Sequence, residues 1–337
     1  MHKISINMSY TGDKIEGQGV GAATHEQINL IKDTCADCFD VYINKNKKTD
    51  IIHIHTIDPM SFLRMNLIKA KKVIHVHFLP ETLEGSIKLP KFMMGIFHKY
   101  FLSMYRNADK IVVVNPIFIS ELEKYNIDRS KINYIPNFVS EESFYQLPPE
   151  EKLSAKDKFE ISKDSFTVLG VGQVQTRKGV LDFVKIAEAL PHINFVWAGG
   201  FSFGAITDGY SDLKKITENP PPNVKFLGII PRNEMNELYN ASDLLFMPSY
   251  NELFPMAILE ACSSGLPILL RNLELYEDIL FEKYVNGFDN DSFVDEIRKL
   301  STDKQYYSDA INNSNYISNY YSRENVRKIW IDFYQSI

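Results

Sequence analysis

Leu244-Leu245-Phe246-Met247-Pro248-Ser249-Tyr250-Asn251-Glu252-Leu253-Phe254-Pro255-Met256-Ala257-Ile258-Leu259-Glu260 passes from an apolar run through a polar loop into a second apolar run of different period. The first run has the length and composition of a buried strand. Pro255 suits the first position of a helix. A helix start offers unpaired N–H groups and a positive dipole end to an anion such as a phosphate. Glu252 falls in the loop, and Glu260 falls about one and a half turns inside the helix. Two acids at this spacing are common on solvated helices, so it is the strand–loop–helix context that gives the pair meaning.

Outward from this stretch, short β-branched runs alternate with helical ones, the pattern of parallel α/β sheets. Strands are expected at residues 4–8, 41–44, 51–55, 73–77, 111–115 and 133–135, then at 167–172, 194–198, 224–227, 244–248 and 268–270. Helices are expected at 21–32, 60–70, 91–106, 117–125, 179–189, 234–240 and 256–263. The stretch 137–151 follows Pro136, contains Pro148 and Pro149, and reads as a linker. The 337 residues thus divide into two α/β domains, 1–148 and 149–315, each of ordinary size. Residues 316–337, with Tyr316, Tyr320, Tyr321, Trp330, Phe333 and Tyr334 at helical spacing, form a closing helix that must pack on something. Open parallel sheets bind ligands at the carboxyl ends of their strands, so function is expected in the loops there.

No apolar run approaches the roughly 20 residues of a membrane span, and the N-terminus lacks a signal-peptide pattern. These features imply a soluble, intracellular protein. Of the three cysteines, Cys35 and Cys38 form a lone C-x-x-C with no second pair to complete a zinc site, and read as reduced thiols. Net charge is −6 and unevenly shared: residues 1–148 carry +2 and residues 149–337 carry −8. A basic half suits an anionic surface or acceptor, but it is far too weakly basic for nucleic acid.

A second motif, Gly170-Val171-Gly172-Gln173-Val174-Gln175-Thr176-Arg177-Lys178-Gly179, also joins a strand to a helix. Its glycines permit close backbone approach to a ligand. Its adjacent cations could neutralise a leaving diphosphate, an effect on the order of 3 kcal/mol per group. Together the two motifs, a glycine turn ending in Arg-Lys-Gly and an E-x₇-E element, resemble the retaining glycosyltransferases of family 4. Other segments share that likeness: Gly17-Gln18-Gly19-Val20-Gly21, the strand ending in His77, Ile135-Pro136-Asn137, and Phe226-Leu227-Gly228. Residues 170–183, 197–210 and 80–91 resemble bacterial glycolipid synthases that add a second hexose to monoglucosyl-diacylglycerol. One departure is Gln173, where the family commonly has Arg; Arg177 beside Lys178 is the expected substitute.

The resemblance implies a GT-B fold, two facing Rossmann-like domains with the C-terminal helix crossing back onto the first. It implies hexose transfer with retention from UDP-glucose or UDP-galactose, a co-substrate, with no cofactor and no required metal. Arg177 and Lys178 would hold the diphosphate and Glu252 the hexose hydroxyls. Glu260 would hold the ribose, and His77 would lie near the donor sugar. Gly17, Gly19, Val20, Gln173, Gly228, Ile229, Leu253, Phe254, Pro255 and Met256 would complete the donor site. The partners implied are a UDP-hexose, a glycolipid acceptor and an anionic membrane surface at the inner face of the cell membrane. Residues 86–110, basic and apolar nearly all round, suit such a surface or a helix buried with snorkelling lysines.

Three rival signals are weaker. His53, His55, His75 and His77 share a strand face and could hold a metal, but no acidic ligand joins them, and strand histidines are often core residues. Gly17 to Ala22 fits a dinucleotide fingerprint, yet eight residues separate it from the preceding strand. Asp289-Asn290-Asp291 has the form of a metal-binding D-x-D but lies beyond the last expected strand, and reads as a turn. A glycan-extending transferase of the same family, a GT-B epimerase and a non-catalytic nucleotide-sugar binding protein that retains the clamp are the remaining alternatives.

Overall fold

A computed structural model of the chain describes residues 3–10, 19–56, 58–77, 91–201 and 209–337. These form two units: the described residues up to Phe138 together with Tyr321–Ile337, and Val139–Tyr320.

The first unit carries a six-stranded sheet of β1 (Ile4–Ser9), β2 (Phe39–Ile43), β3 (Ile51–Ile54), β4 (Lys71–Val76), β5 (Lys110–Val113) and β6 (Ile132–Tyr134). Its order is β2-β1-β3-β4-β5-β6, with every pairing parallel. Between the strands run α1 (Gly19–Thr34), α2 (Pro59–Leu67), α3 (Lys91–Asn107) and α4 (Ile117–Lys124). Strands β3 and β5 are buried almost throughout, as sheets covered on both faces require.

The second unit opens with α5 (Pro149–Lys158) and continues through β7 (Thr167–Val171), α6 (Val180–Ala189), β8 (Asn194–Ala198), α7 (Tyr210–Glu218) and β9 (Val224–Gly228). Then come α8 (Arg232–Asn240), β10 (Leu244–Met247), α9 (Met256–Ser263), β11 (Ile268–Arg271), α10 (Glu277–Leu280), β12 (Val285–Gly287), α11 (Asn290–Thr302) and α12 (Lys304–Tyr320). The sheet order is β12-β11-β10-β7-β8-β9, again all parallel. Its core is aromatic: Phe183, Phe195, Trp197, Phe246 and Phe293 are fully buried and meet edge to face or stacked.

Three sequence expectations shift. Residues 139–148, expected in the first domain, group with the second. The Tyr145 and Leu147 N–H groups donate to the Asn236 and Asn240 side chains of α8, which fixes that segment. The single helix expected over 316–337 is two: α12 ends at Tyr320, and α13 (Arg323–Gln335) begins after Ser322. Only α13 and Tyr321 join the first unit. There Val326, Trp330, Phe333 and Tyr334 bury one face beside Ile28, Ile31 and Phe39. Finally, Asp289 caps α11 in a reciprocal capping box with Ser292, so the D-x-D lookalike is a helix start.

Candidate active site

The loop after β10 and the turn after β7 meet within the second unit. Lys178, at the end of the 3₁₀ turn Thr176–Lys178, donates from Nζ to Glu252 Oε1 at 2.5 Å, and both groups are buried. Main-chain contacts fasten the same two segments. The Tyr250 N–H donates to the Arg177 carbonyl at 2.8 Å, and Arg177 Nη1 donates to the Asn251 carbonyl at 3.1 Å. Burial pushes the Glu252 carboxyl up, but Lys178, Arg177 and the Ser249 hydroxyl outweigh it and hold it below its ordinary value. Lys178 is lowered, by burial first and by Arg177, against the opposing pull of Glu252. The pair is therefore ionised and self-compensating, with a further cation beside it.

The glycines of the turn have a steric reason. Gly172 sits at φ +146°, a conformation that strains any L side chain, and Lys178 packs at ordinary contact distance beside it. Gly199, at φ +139°, would drive a Cβ to 1.9 Å from the Gly172 carbonyl oxygen. The backbone of the two loops is thus brought together as only glycine allows. Gln173 accepts from Gln175 Nε2 at 2.7 Å, so the turn's charge comes from Arg177 and Lys178.

Pro255 is extended and caps α9, one position earlier than expected. Phe254 and Met256 are buried in the core and Leu253 half-buried, so the first two can offer a ligand their main chain but not their side chains. Gly228 (φ +71°) and the exposed Ile229 end β9.

Glu260 has partners within the second unit. Its buried carboxylate already accepts from Arg232 Nη1 at 2.5 Å and from the Tyr239 hydroxyl at 2.8 Å. Neither partner was foreseen; the available signal was Arg232 opening α8 directly after the Gly228 loop. Arg271 was also missed. It is buried at the end of β11, pairs with Asp182 at 2.7 Å, donates to the Pro248 carbonyl at 2.9 Å and lies over the Tyr250 ring at 4.0 Å. A cation closing an apolar strand was its sequence signal.

In the first unit, His77 directly follows β4. Gly17 lies outside the described residues, whereas Gly19 and Val20 open α1. His53, His55, His75 and His77 form one buried group, His55 Nδ1 lying 3.2 Å from His77 Nε2 and His53 Nδ1 2.5 Å from the Tyr334 hydroxyl. Burial pushes all four below the ordinary histidine value, His77 to about 4. Nitrogens of His53, His55 and His75 come within 4.8 Å of one another. His53 and His75 are stacked at 14°, and the His55 ring is tilted from them by 30° and 34°.

Comparison with known proteins agrees with this anatomy. The family model of glycosyl transferases group 1 matches residues 151–316, and that of glycosyltransferase family 4 matches residues 41–143. The alpha-galactosylglucosyldiacylglycerol synthase of Streptococcus pneumoniae is 44% identical over 99% of this chain and 90% of its own. The processive diacylglycerol alpha-glucosyltransferase of Acholeplasma laidlawii is 24% identical over 86% of each chain. Among solved structures, Anabaena HepE in complex with UDP and glucose superposes with a TM-score of 0.80 at 14% identity, covering all of both chains. The two parallel sheets have the GT-B fold, and the family models with the 44% identical relative show a glycosyltransferase. The chain belongs to glycosyltransferase family 4.

Proposed function

We propose that the protein transfers a hexose from UDP-glucose or UDP-galactose to a monoglucosyl-diacylglycerol-type glycolipid, with retention and without a required metal. The observation that carries this reading is the 44% identity along almost the whole chain to a galactosylglucosyldiacylglycerol synthase, combined with the buried Lys178–Glu252 pair in the loops where a donor would sit. In this reading Arg177 and Lys178 hold the departing diphosphate, which takes the acceptor's proton as the acceptor hydroxyl attacks from the same face. Glu252 orients the hexose hydroxyls, and Glu260, released from part of its contact with Arg232, accepts from the ribose. Arg177, the further cation beside the Lys178–Glu252 pair, adds fixed positive charge for that diphosphate.

The purified protein, given each UDP-hexose with monoglucosyl-diacylglycerol, is expected to form one diglycosyl lipid with an α-linkage and to keep its activity in EDTA. Failure to turn over or bind either donor would overturn the reading. Transfer only to a water-soluble or polyprenyl-linked glycan would move it to the glycan-extending alternative.

A lipid acceptor requires access to a leaflet. Among the described residues no helix is long and apolar enough to cross a membrane. Helix α2, however, exposes Met60, Leu63 and Leu67 (60%, 53% and 77%) at one-face spacing, and α3 exposes Ile96. In the proposed reading this stripe enters an anionic leaflet from the more basic half of the chain. Flotation with anionic liposomes is expected at low salt, and Leu63→Ser with Leu67→Ser is expected to reduce it several-fold. Equal flotation of the variant would remove α2 from the membrane face.

A further inference from the structure

The four buried histidines of the first unit have eight ring nitrogens, and their partners are unevenly shared. His53 Nδ1, His55 Nδ1 and His77 Nε2 are hydrogen-bonded. His53 Nε2, His55 Nε2 and both nitrogens of His75 are sealed from solvent without a partner. Among the described residues His77 Nδ1 has no hydrogen-bond partner, and it is the one unbonded nitrogen of the eight that is not sealed.

Each ring is neutral and so carries one proton. At the 3.2 Å contact between His55 Nδ1 and His77 Nε2, one nitrogen donates and the other accepts. If His77 donated, the His55 proton would sit on Nε2, an N–H with no acceptor in a dry interior. If His55 donates, its orphan is a lone pair, which buried proteins tolerate more readily than an orphaned N–H. Thr24 Oγ1, 3.5 Å from His55 Nδ1, favours the second arrangement. A hydroxyl oxygen can share the Nδ1 proton, whereas a single imidazole lone pair could not serve both Thr24 and His77 well.

We infer that His55 donates from Nδ1 to His77 and thereby fixes His77 as the Nδ1–H tautomer, which presents a neutral N–H donor at its free nitrogen. His55 is a positioning residue. The ligand group suited to that donor is a hydroxyl or ring oxygen of a sugar, in keeping with the sugar-binding role that the family resemblance implies for His77, on which this part of the inference rests. His77 does not act as a base at Nε2, because that lone pair is held by His55.

The ligand-free protein, deuterated and labelled with ¹⁵N-histidine, is read by long-range ¹H–¹⁵N correlation. Wild-type His77 is expected to be protonated at Nδ1. His55→Leu is expected to shift His77 toward the Nε2–H form and to lower kcat about 10-fold, the worth of one hydrogen bond to a reacting centre, with the KM for UDP-hexose little changed. His55→Asn, whose side-chain N–H falls near the place of Nδ1, is expected to restore both. A wild-type His77 protonated at Nε2 would overturn the inference, even if no variant folds. So would an unchanged tautomer and kcat in His55→Leu. The tautomer is measured without substrate, so an absence of hexose transfer would sink the proposed function and leave this result standing.

Discussion

Lys178→Ala is expected to lower kcat by about two to three orders of magnitude, the scale of removing one charge-stabilising group from an active site. The same change should also cost stability, and the two effects can be separated. Lys178 and Glu252 are buried together, and deleting one partner strands the other's charge in a dry site, which costs on the order of 3–5 kcal/mol. The double variant Lys178→Met with Glu252→Leu removes both charges while keeping volume, so it should regain most of that stability. It should regain no activity. Urea midpoints and single-turnover rates on the single and double variants check this. Near-normal turnover in Lys178→Ala would remove Lys178 from the chemistry, and an unstable double variant would show that the pair holds the fold.

The second large effect is acid sensitivity of the first unit. Each of the four histidines has a folded value below the ordinary value near 6.5, set mainly by burial. Between the two values the unfolded chain binds protons that the folded chain excludes. Stability is therefore full above about pH 6.5 and is lost as pH falls. For His77, held to about 4, the loss at pH 5 is on the order of 2 kcal/mol, and the other three add in the same direction. Thermal melts should fall steeply from pH 7.5 to pH 5. Trp330 fluorescence should follow the loss, because that ring packs on His53 and His75 at 5.6 and 6.0 Å. His75→Leu, which removes a ring with two unpartnered nitrogens, should flatten the profile without lowering the neutral-pH melt. Identical melts at pH 5 and 7.5 would show that the stack has protonated partners or water.

The sheets were largely legible because each strand is a short apolar run punctuated by turn residues, and that signal is local. What escaped lacked a local signal. Val285-Asn286-Gly287 is too short and polar to announce β12, whose place comes from pairing with β11. Helix α5 buries only Ala155 and has almost no apolar face, so its first three residues fell within the expected linker and the rest gave no helical signal. In the site, Lys178 and Glu252 were found by motif, and their mutual contact spans 74 residues. The Arg232 and Tyr239 contacts to Glu260 and the Arg271–Asp182 pair have no counterpart in spacing, since they arise where loops from different strands converge. The four histidines were visible as a strand-face pattern. Their hydrogen-bond ledger was not, because it depends on Thr24, Gln27 and Tyr334 arriving from α1 and α13.

Helix α13 belongs to the first unit yet follows the second along the chain. Nascent chains generally acquire structure from the amino end as they emerge. Here the leading half leaves the ribosome without Trp330 and Tyr334, two of the largest side chains of its own interior. Its apolar face must wait, uncovered, until translation has passed through the whole of the other half, and so residues made after that half are the ones that close the first fold begun.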